Sequence, residues 1–212
     1  MNAENGSQPK IGTEEGRETI RTFNQYGNNS KALFVAITGV MIALETVMTI
    51  LISIRIPATQ GYFNLGEMII YLAAILFGPI VGFLTGAIGA SLADLILGYS
   101  IFAPATFIIK GTEGYIVGYL YKRFIKNERA NDPIAYIKFK PEISTRKHIS
   151  AIIISTLHGG ALMVVGYLVF EILIGVSIAA VLVEVPVNII QCLIGAIMTV
   201  ILAPAIKKVF QN

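Results

Sequence analysis

Apolar runs, all but a short second one near membrane-spanning length, fill this chain from about residue 32 almost to its last residue, with one long hydrophilic interruption. A helix needs about 20 apolar residues to cross a hydrocarbon core about 30 Å thick. Lipid offers the backbone no hydrogen bonds, so only helices and closed barrels cross it. The runs lie at about 32–54, 67–77, 80–97, 102–124, 149–174 and 180–206, with a polar tail at 1–31 and a hydrophilic connection at about 126–147. They predict an all-α integral membrane protein, a six-transmembrane-helix bundle over 32–208. Composition agrees, because 55% of residues are apolar and 14% charged, against about 25% charged in a soluble domain. An ordinary globular domain, a nucleic-acid binder and a disordered chain are thereby excluded.

The tail mixes Lys10, Glu14, Glu15, Arg17, Glu18 and Arg21 and has no short apolar core before a cleavage site, so it reads as cytoplasmic rather than as a signal peptide. With the tail inside, 14 of the 16 Lys and Arg residues face the cytoplasm, leaving Arg55 outside and Lys110 within a span. The positive-inside rule then places both termini in the cytoplasm. Gly78-Pro79 leaves almost no connection between the second and third runs, which predicts a tight helical hairpin. The stretch from Pro57 to Gly66 reads as a structured outer loop or a β-turn.

Small residues recur every four positions in the third run: Gly78, Gly82, Gly86, Ala90, Asp94 and Gly98. Such faces let membrane helices approach closely, and Gly114 and Gly118 supply a second site, so internal packing is the expectation. Ala32, Ala36, Gly39 and Ala43 in the first run suit either internal packing or contact with another subunit.

Ionisable groups inside a span cost about 2.5–3.5 kcal/mol on insertion scales, so they face a cavity or a partner. Here they gather toward one side of the membrane. Asp94 falls near the outer end of the third run, Lys110 and Glu113 in the outer half of the fourth, and Glu67 at the outer start of the second. Glu184, Asn188 and Gln191 are spaced to share one helical face in the last run. Tyr62, Asn64 and Tyr99 lie in adjoining loops. The pattern predicts a polar cavity open outward and closed inward. Arg55, Tyr62, Asn64 and Glu67 would shape its entrance, Asp94, Lys110 and Glu113 its floor and wall, and Glu184, Asn188 and Gln191 the opposite wall. A structural ion pair of Lys110 with Asp94 or Glu113 is the competing reading, and Glu45, mid-span in the first run, fits neither.

No catalytic constellation is present. His148 lies at the cytoplasmic margin and His158 is alone in its run, so no metal-ligand pair forms. There is neither a G-x-S-x-G elbow nor a phosphate-binding G-x-x-x-x-G-K-[ST]. The one cysteine, Cys192, excludes a disulfide framework. No enzyme activity, metal or cofactor is expected.

The residues Asn64-Leu65-Gly66-Glu67, Phe77-Gly78-Pro79, Leu92-Ala93-Asp94-Leu95, Gly98-Tyr99, Pro104 and Ile108-Ile109-Lys110-Gly111, followed by Gly114 and Gly118, resemble the substrate-binding (S) components of energy-coupling factor (ECF) transporters, the riboflavin-type group above all. The resemblance is detailed over about Ala32 to Phe124 and covers the last two runs in layout. It implies a multi-pass protein of a prokaryotic plasma membrane. Such a protein binds a water-soluble vitamin beneath a gating loop and docks on a transmembrane coupling subunit driven by two ATP-binding cassette ATPases. Riboflavin is the first choice of ligand, with a pyridoxine- or pyrimidine-type compound or pantothenate as others. The family's docking surface includes small residues on the first span, which Ala32, Ala36, Gly39 and Ala43 match. A stand-alone proton-coupled secondary transporter, using Glu45, Asp94 or Glu113, is the alternative, weakened by the lack of internal repeats. An intramembrane enzyme built on His158 would need a nucleophile or metal partner that the sequence does not show.

Overall fold

Helix follows helix through residues 14–56, 61–125 and 145–211, the parts that the computed structural model describes. The chain divides into two units, Met1–Ala36 and Ile37–Asn212. Helix α1, Glu14–Leu51, begins within the first, so the polar stretch from Glu14 to Lys31 is helical; the rest of the expected tail, residues 1–13, lies outside the described residues. In the second unit follow β1 (Ile54–Arg55), β2 (Tyr62–Phe63), α2 (Gly66–Phe77), α3 (Pro79–Leu97), α4 (Ala103–Phe124), α5 (Thr145–Leu173) and α6 (Ile178–Gln211).

Four of these six helices, α1 from Lys31, α3, α5 and α6 to Ile206, are long and apolar enough to cross a membrane. The other two expected spans fall short for different reasons. Helix α2 is apolar but has only 12 residues, about 18 Å at 1.5 Å per residue. Helix α4 has 22 residues and carries Lys110 and Glu113 within it. The first run also ends earlier than its composition suggested: α1 stops at Leu51, and Ile54 and Arg55 pair antiparallel with Phe63 and Tyr62. The stretch after α1 is therefore a small hairpin, closed by Ile56 N–H donating to the Gly61 carbonyl at 3.0 Å. Most of the expected connection at 126–147 lies outside the described residues, and α5 starts within its last three positions.

Helix α4 lies at the centre of the second unit and packs on α2, α3 and α5, while α6 covers α5 and α2. Backbone proximity explains the glycines. A side chain at Gly82 would stand 2.7 Å from the Gly114 carbonyl oxygen, and one at Gly118 would stand 2.6 Å from the Pro79 Cα. Gly78 joins α2 to α3 with φ +97°, a left-handed turn that glycine adopts without penalty, and Pro79 opens α3 where its missing N–H is harmless. The hairpin is thus as tight as the sequence demands.

Helix α3 is not regular. Thr85–Ala90 winds as a π-helix between two α-helical pieces, a distortion common at functional sites. Its wider turn sends Gly86 against the backbone of Lys110 and Gly89 against the Glu45 side chain. Below this level a dry core closes the unit. Ile70, Tyr71, Ile75 and Leu76 of α2 meet Val117 and Tyr121 of α4, Ile152 of α5 and Ala196 and Ala203 of α6.

Candidate functional site

Between this core and the β1–β2 hairpin lies a polar-lined cavity of about 30 Å³, room for a water or two and tighter than a typical small-molecule site. Every helix except α2 contributes. Helix α1 supplies Glu45 and Thr49, α3 supplies Ala90 and Asp94, and α4 supplies Thr106 and Lys110. Tyr167 comes from α5, and Glu184, Asn188 and Gln191 come from α6. The hairpin side adds Gly61, Tyr62 and Asn64, and Phe102 closes the end of α4.

Lys110 anchors the floor. Its ammonium is ion-paired with Glu67 at the first turn of α2 and lies 3.5 Å from Glu113, one turn along its own helix. Glu67 also accepts from Gln191 Nε2 at 2.9 Å, and Gln191 Oε1 accepts the Asn64 backbone N–H at 2.8 Å. Asn64 Oδ1 in turn accepts the Gly66 N–H. One chain of contacts therefore ties α6 to the start of α2 and to Lys110. Glu113 sits behind this layer, where the Tyr71 hydroxyl donates to it at 2.8 Å, and it does not border the cavity. Glu67, Glu113 and Cys192 come close enough to share a cation, yet the Lys110 ammonium already holds both carboxylates.

The roof is aromatic and acidic. The Tyr62 hydroxyl donates to Asp94 at 2.6 Å, and its ring lies 4.8 Å from that of Tyr99. Arg55 Nε donates to the Tyr99 hydroxyl at 3.2 Å. Burial first, and then the adjacent Asp94 carboxylate, push the Tyr62 hydroxyl above its ordinary value, so it remains a neutral donor. Tyr99 thus braces the hairpin from outside the cavity. Gly61 rests on the Glu184 carboxylate so closely that any side chain there would overlap it. On the α5 side, the hydroxyls of Thr106 and Tyr167 are 2.9 Å apart, and Lys110 lies 5.7 Å from the Tyr167 ring centre.

A family model described as "ECF-type riboflavin transporter, S component" matches residues 29–208. The chain belongs to that family. It also shares 42% identity over 122 residues with an uncharacterized protein from the gap 3′ region of Pyrococcus woesei, a match covering 58% of this chain and 67% of that one. Its fold is like that of the S component of a bacterial ECF transporter, with a TM-score of 0.58 and 19% identity over 86% of this chain and 99% of the other.

As an S component, the chain is a membrane transport protein, and its cavity can be compared with what its sequence suggests. Tyr62, Asn64, Asp94, Lys110, Glu184, Asn188 and Gln191 all border the cavity, whereas Glu67, Tyr99 and Glu113 stand one contact away. Sequence reasoning left Glu45 without a place in the cavity and missed Thr49, Thr106 and Tyr167. Thr49 Oγ1 donates to Glu45 Oε1 at 3.1 Å, and the i, i+4 spacing of Glu45 with Thr49 and of Thr106 with Lys110 was the available signal. His158 is exposed, and its Nδ1 lies 2.7 Å from the Ile154 carbonyl of its own helix, which is packing rather than chemistry.

Proposed function

We propose that this S component captures a water-soluble vitamin from outside the cell and delivers it, on an ECF transporter, for ATP-driven uptake. The single observation that carries this reading is the polar cavity at one end of an otherwise dry bundle, in a chain of the S-component family. In this reading the six helices form six spans of a prokaryotic plasma membrane protein with cytoplasmic termini, α2 being shielded by its neighbours. The membrane domain runs over 32–208, behind a cytoplasmic tail at 1–31. Tyr62, Asn64, Asp94, Lys110, Glu184, Asn188 and Gln191 contact the ligand, Glu67 and Glu113 hold Lys110, and Tyr99 steadies the hairpin over the opening. The exposed small residues Ala32, Ala36, Gly39 and Ala43 of α1 serve as the docking face for a transmembrane coupling subunit powered by two ATP-binding cassette ATPases. The protein itself catalyses no reaction. Riboflavin is the vitamin the family's description names; pyridoxine- or pyrimidine-type compounds and pantothenate are the others to test.

The test is to purify the chain in detergent, denature it, and identify what it releases by absorbance and mass spectrometry. A stoichiometric vitamin is the expected result. A blank, together with no binding to a vitamin panel, would overturn the proposal.

A further inference from the structure

Among the described residues, six carboxyl groups are buried, those of Glu45, Glu67, Asp94, Glu113, Glu171 and Glu184, against one buried ammonium, Lys110. That ammonium is already taken by Glu67 and Glu113. Of the rest, Glu171 hydrogen-bonds to Glu184, and Glu45, Asp94 and Glu184 border the cavity. Each is at least nine-tenths buried, and each leaves one oxygen without a hydrogen-bond partner: Oε2 of Glu45, Oδ2 of Asp94 and Oε2 of Glu184. A buried acceptor without a donor is costly, and a buried negative charge without a counter-charge more so. These oxygens belong to three helices, α1, α3 and α6, and they do not cluster tightly enough to hold one metal ion. Tyr62, Phe102 and Tyr167 line the same cavity, and aromatic rings attract cations. Several separated acceptors beside aromatic side chains suit a ligand that carries positive charge and N–H donors, for which the narrow cavity must widen.

We infer that the cavity selects a cationic, flat heterocycle, such as a protonated pyridine or an aminopyrimidine bearing a positive charge, over a neutral flavin and against an anionic vitamin. The Glu45, Asp94 and Glu184 oxygens meet its charged or N–H-bearing edges, and the aromatic side chains take its faces. Lys110 borders the cavity too, but its charge is offset by the Glu67 and Glu113 carboxylates. Arg55 is the other cation nearby, but it is exposed and turned to Tyr99 at the rim.

The inference rests on the cavity being a vitamin site, so the experiment separates the two. The purified full chain is titrated with thiamine, pyridoxamine, riboflavin and pantothenate by calorimetry. Unfolding is followed in parallel with a thiol-reactive dye, which the buried, solitary Cys192 makes specific. Thiamine or pyridoxamine is expected to bind at least tenfold more tightly than riboflavin and to raise the unfolding temperature, with pantothenate silent. Asp94→Asn and Glu184→Gln, which keep shape and remove charge, are expected each to weaken the cation by tenfold or more while the dye still reports a cooperative transition. Should either variant fail to fold, the preference among the four compounds in the unmodified chain decides. Tightest binding by riboflavin or pantothenate, or a cation whose affinity ignores both substitutions, would overturn the inference and leave vitamin capture standing. Failure of all four to bind, with no small molecule released on denaturation, would overturn both.

Discussion

Lys110 and Asn188 both border the cavity, yet their surroundings predict different responses to truncation. Lys110 is the counter-charge to Glu67 and Glu113, and removing one member of a buried ion pair costs about 3–5 kcal/mol because it strands the other. Lys110→Ala is therefore expected to lower the unfolding temperature sharply. Asn188 lies on the α6 wall, outside that ion-paired group. Asn188→Ala is expected to weaken binding by about tenfold, the worth of one hydrogen bond at about 1.4 kcal/mol, with stability nearly unchanged. Calorimetric titration beside thermal unfolding checks both, and equal loss of stability in the two variants would contradict the assignment. At this scale the sequence was informative about residue type and less so about partners. A lysine and two glutamates in apolar runs announced a buried charge group. That Glu67, from the start of another helix, rather than Asp94, would hold Lys110 depends on how α2 and α4 rotate against each other, which spacing along one helix does not encode. Glu45 was opaque for the same reason: its meaning comes from Gly66 and Gly89, small residues of two other helices that let its side chain in.

The helices show how small residues do two opposite jobs. On α3 and α4 they are closed in: a side chain at Gly114 would stand 2.6 Å from the Gly82 carbonyl carbon, so the two backbones themselves form the contact. Gly114→Ala is expected to force them apart and to destabilise the chain by about 1–3 kcal/mol, the usual range for overpacking. On α1, by contrast, a side chain at Gly39 would meet nothing within 4 Å. Gly39→Leu is expected to leave folding and ligand affinity unchanged and to weaken assembly with the coupling subunit, measured by co-purification. Unchanged assembly would remove α1 from the docking face. The four-residue ladder in α3 was readable, and its packing followed from it up to Gly86. Beyond that the π-helical turn rotates the helix, and no residue in Thr85–Ala90 announces it; the turn is set by what it must reach, the Lys110 backbone on one side and Glu45 on the other. The short α2 was equally plain in its apolar residues, but whether twelve residues span a bilayer depends on the neighbours that shield their ends.

Across the whole second unit, polar groups are sorted by depth. At the cavity end they bond to each other across helices, as Tyr62 does with Asp94 and Gln191 with Glu67. Farther along, Ser155, Thr156 and Thr199 are buried, but each donates back to a carbonyl of its own helix, Ala151, Ile152 and Gly195. Such hydroxyls are satisfied locally and offer a passing solute nothing. At the same depth stands the core of Tyr71, Ile75, Val117, Tyr121 and Ile152, where the Tyr71 hydroxyl donates to Glu113 and the Tyr121 hydroxyl lies 2.5 Å from His148 Nε2. A proton-coupled carrier needs ionisable or hydrated groups through the depth of the membrane; among the described residues the buried carboxyl groups and Lys110 lie at or just behind the cavity, and at the other end His148 meets the Tyr121 hydroxyl. On the proposed function, the chain by itself holds a solute rather than passing it, and release on the far side falls to a partner protein. In liposomes holding the purified chain alone, a radiolabelled ligand is expected to bind without accumulating, with or without a proton gradient. Adding the coupling subunit and its two ATPases, with ATP, is expected to start accumulation. Uptake by the chain alone, driven by a proton gradient, would show that the dry core opens unaided and would replace capture with secondary transport.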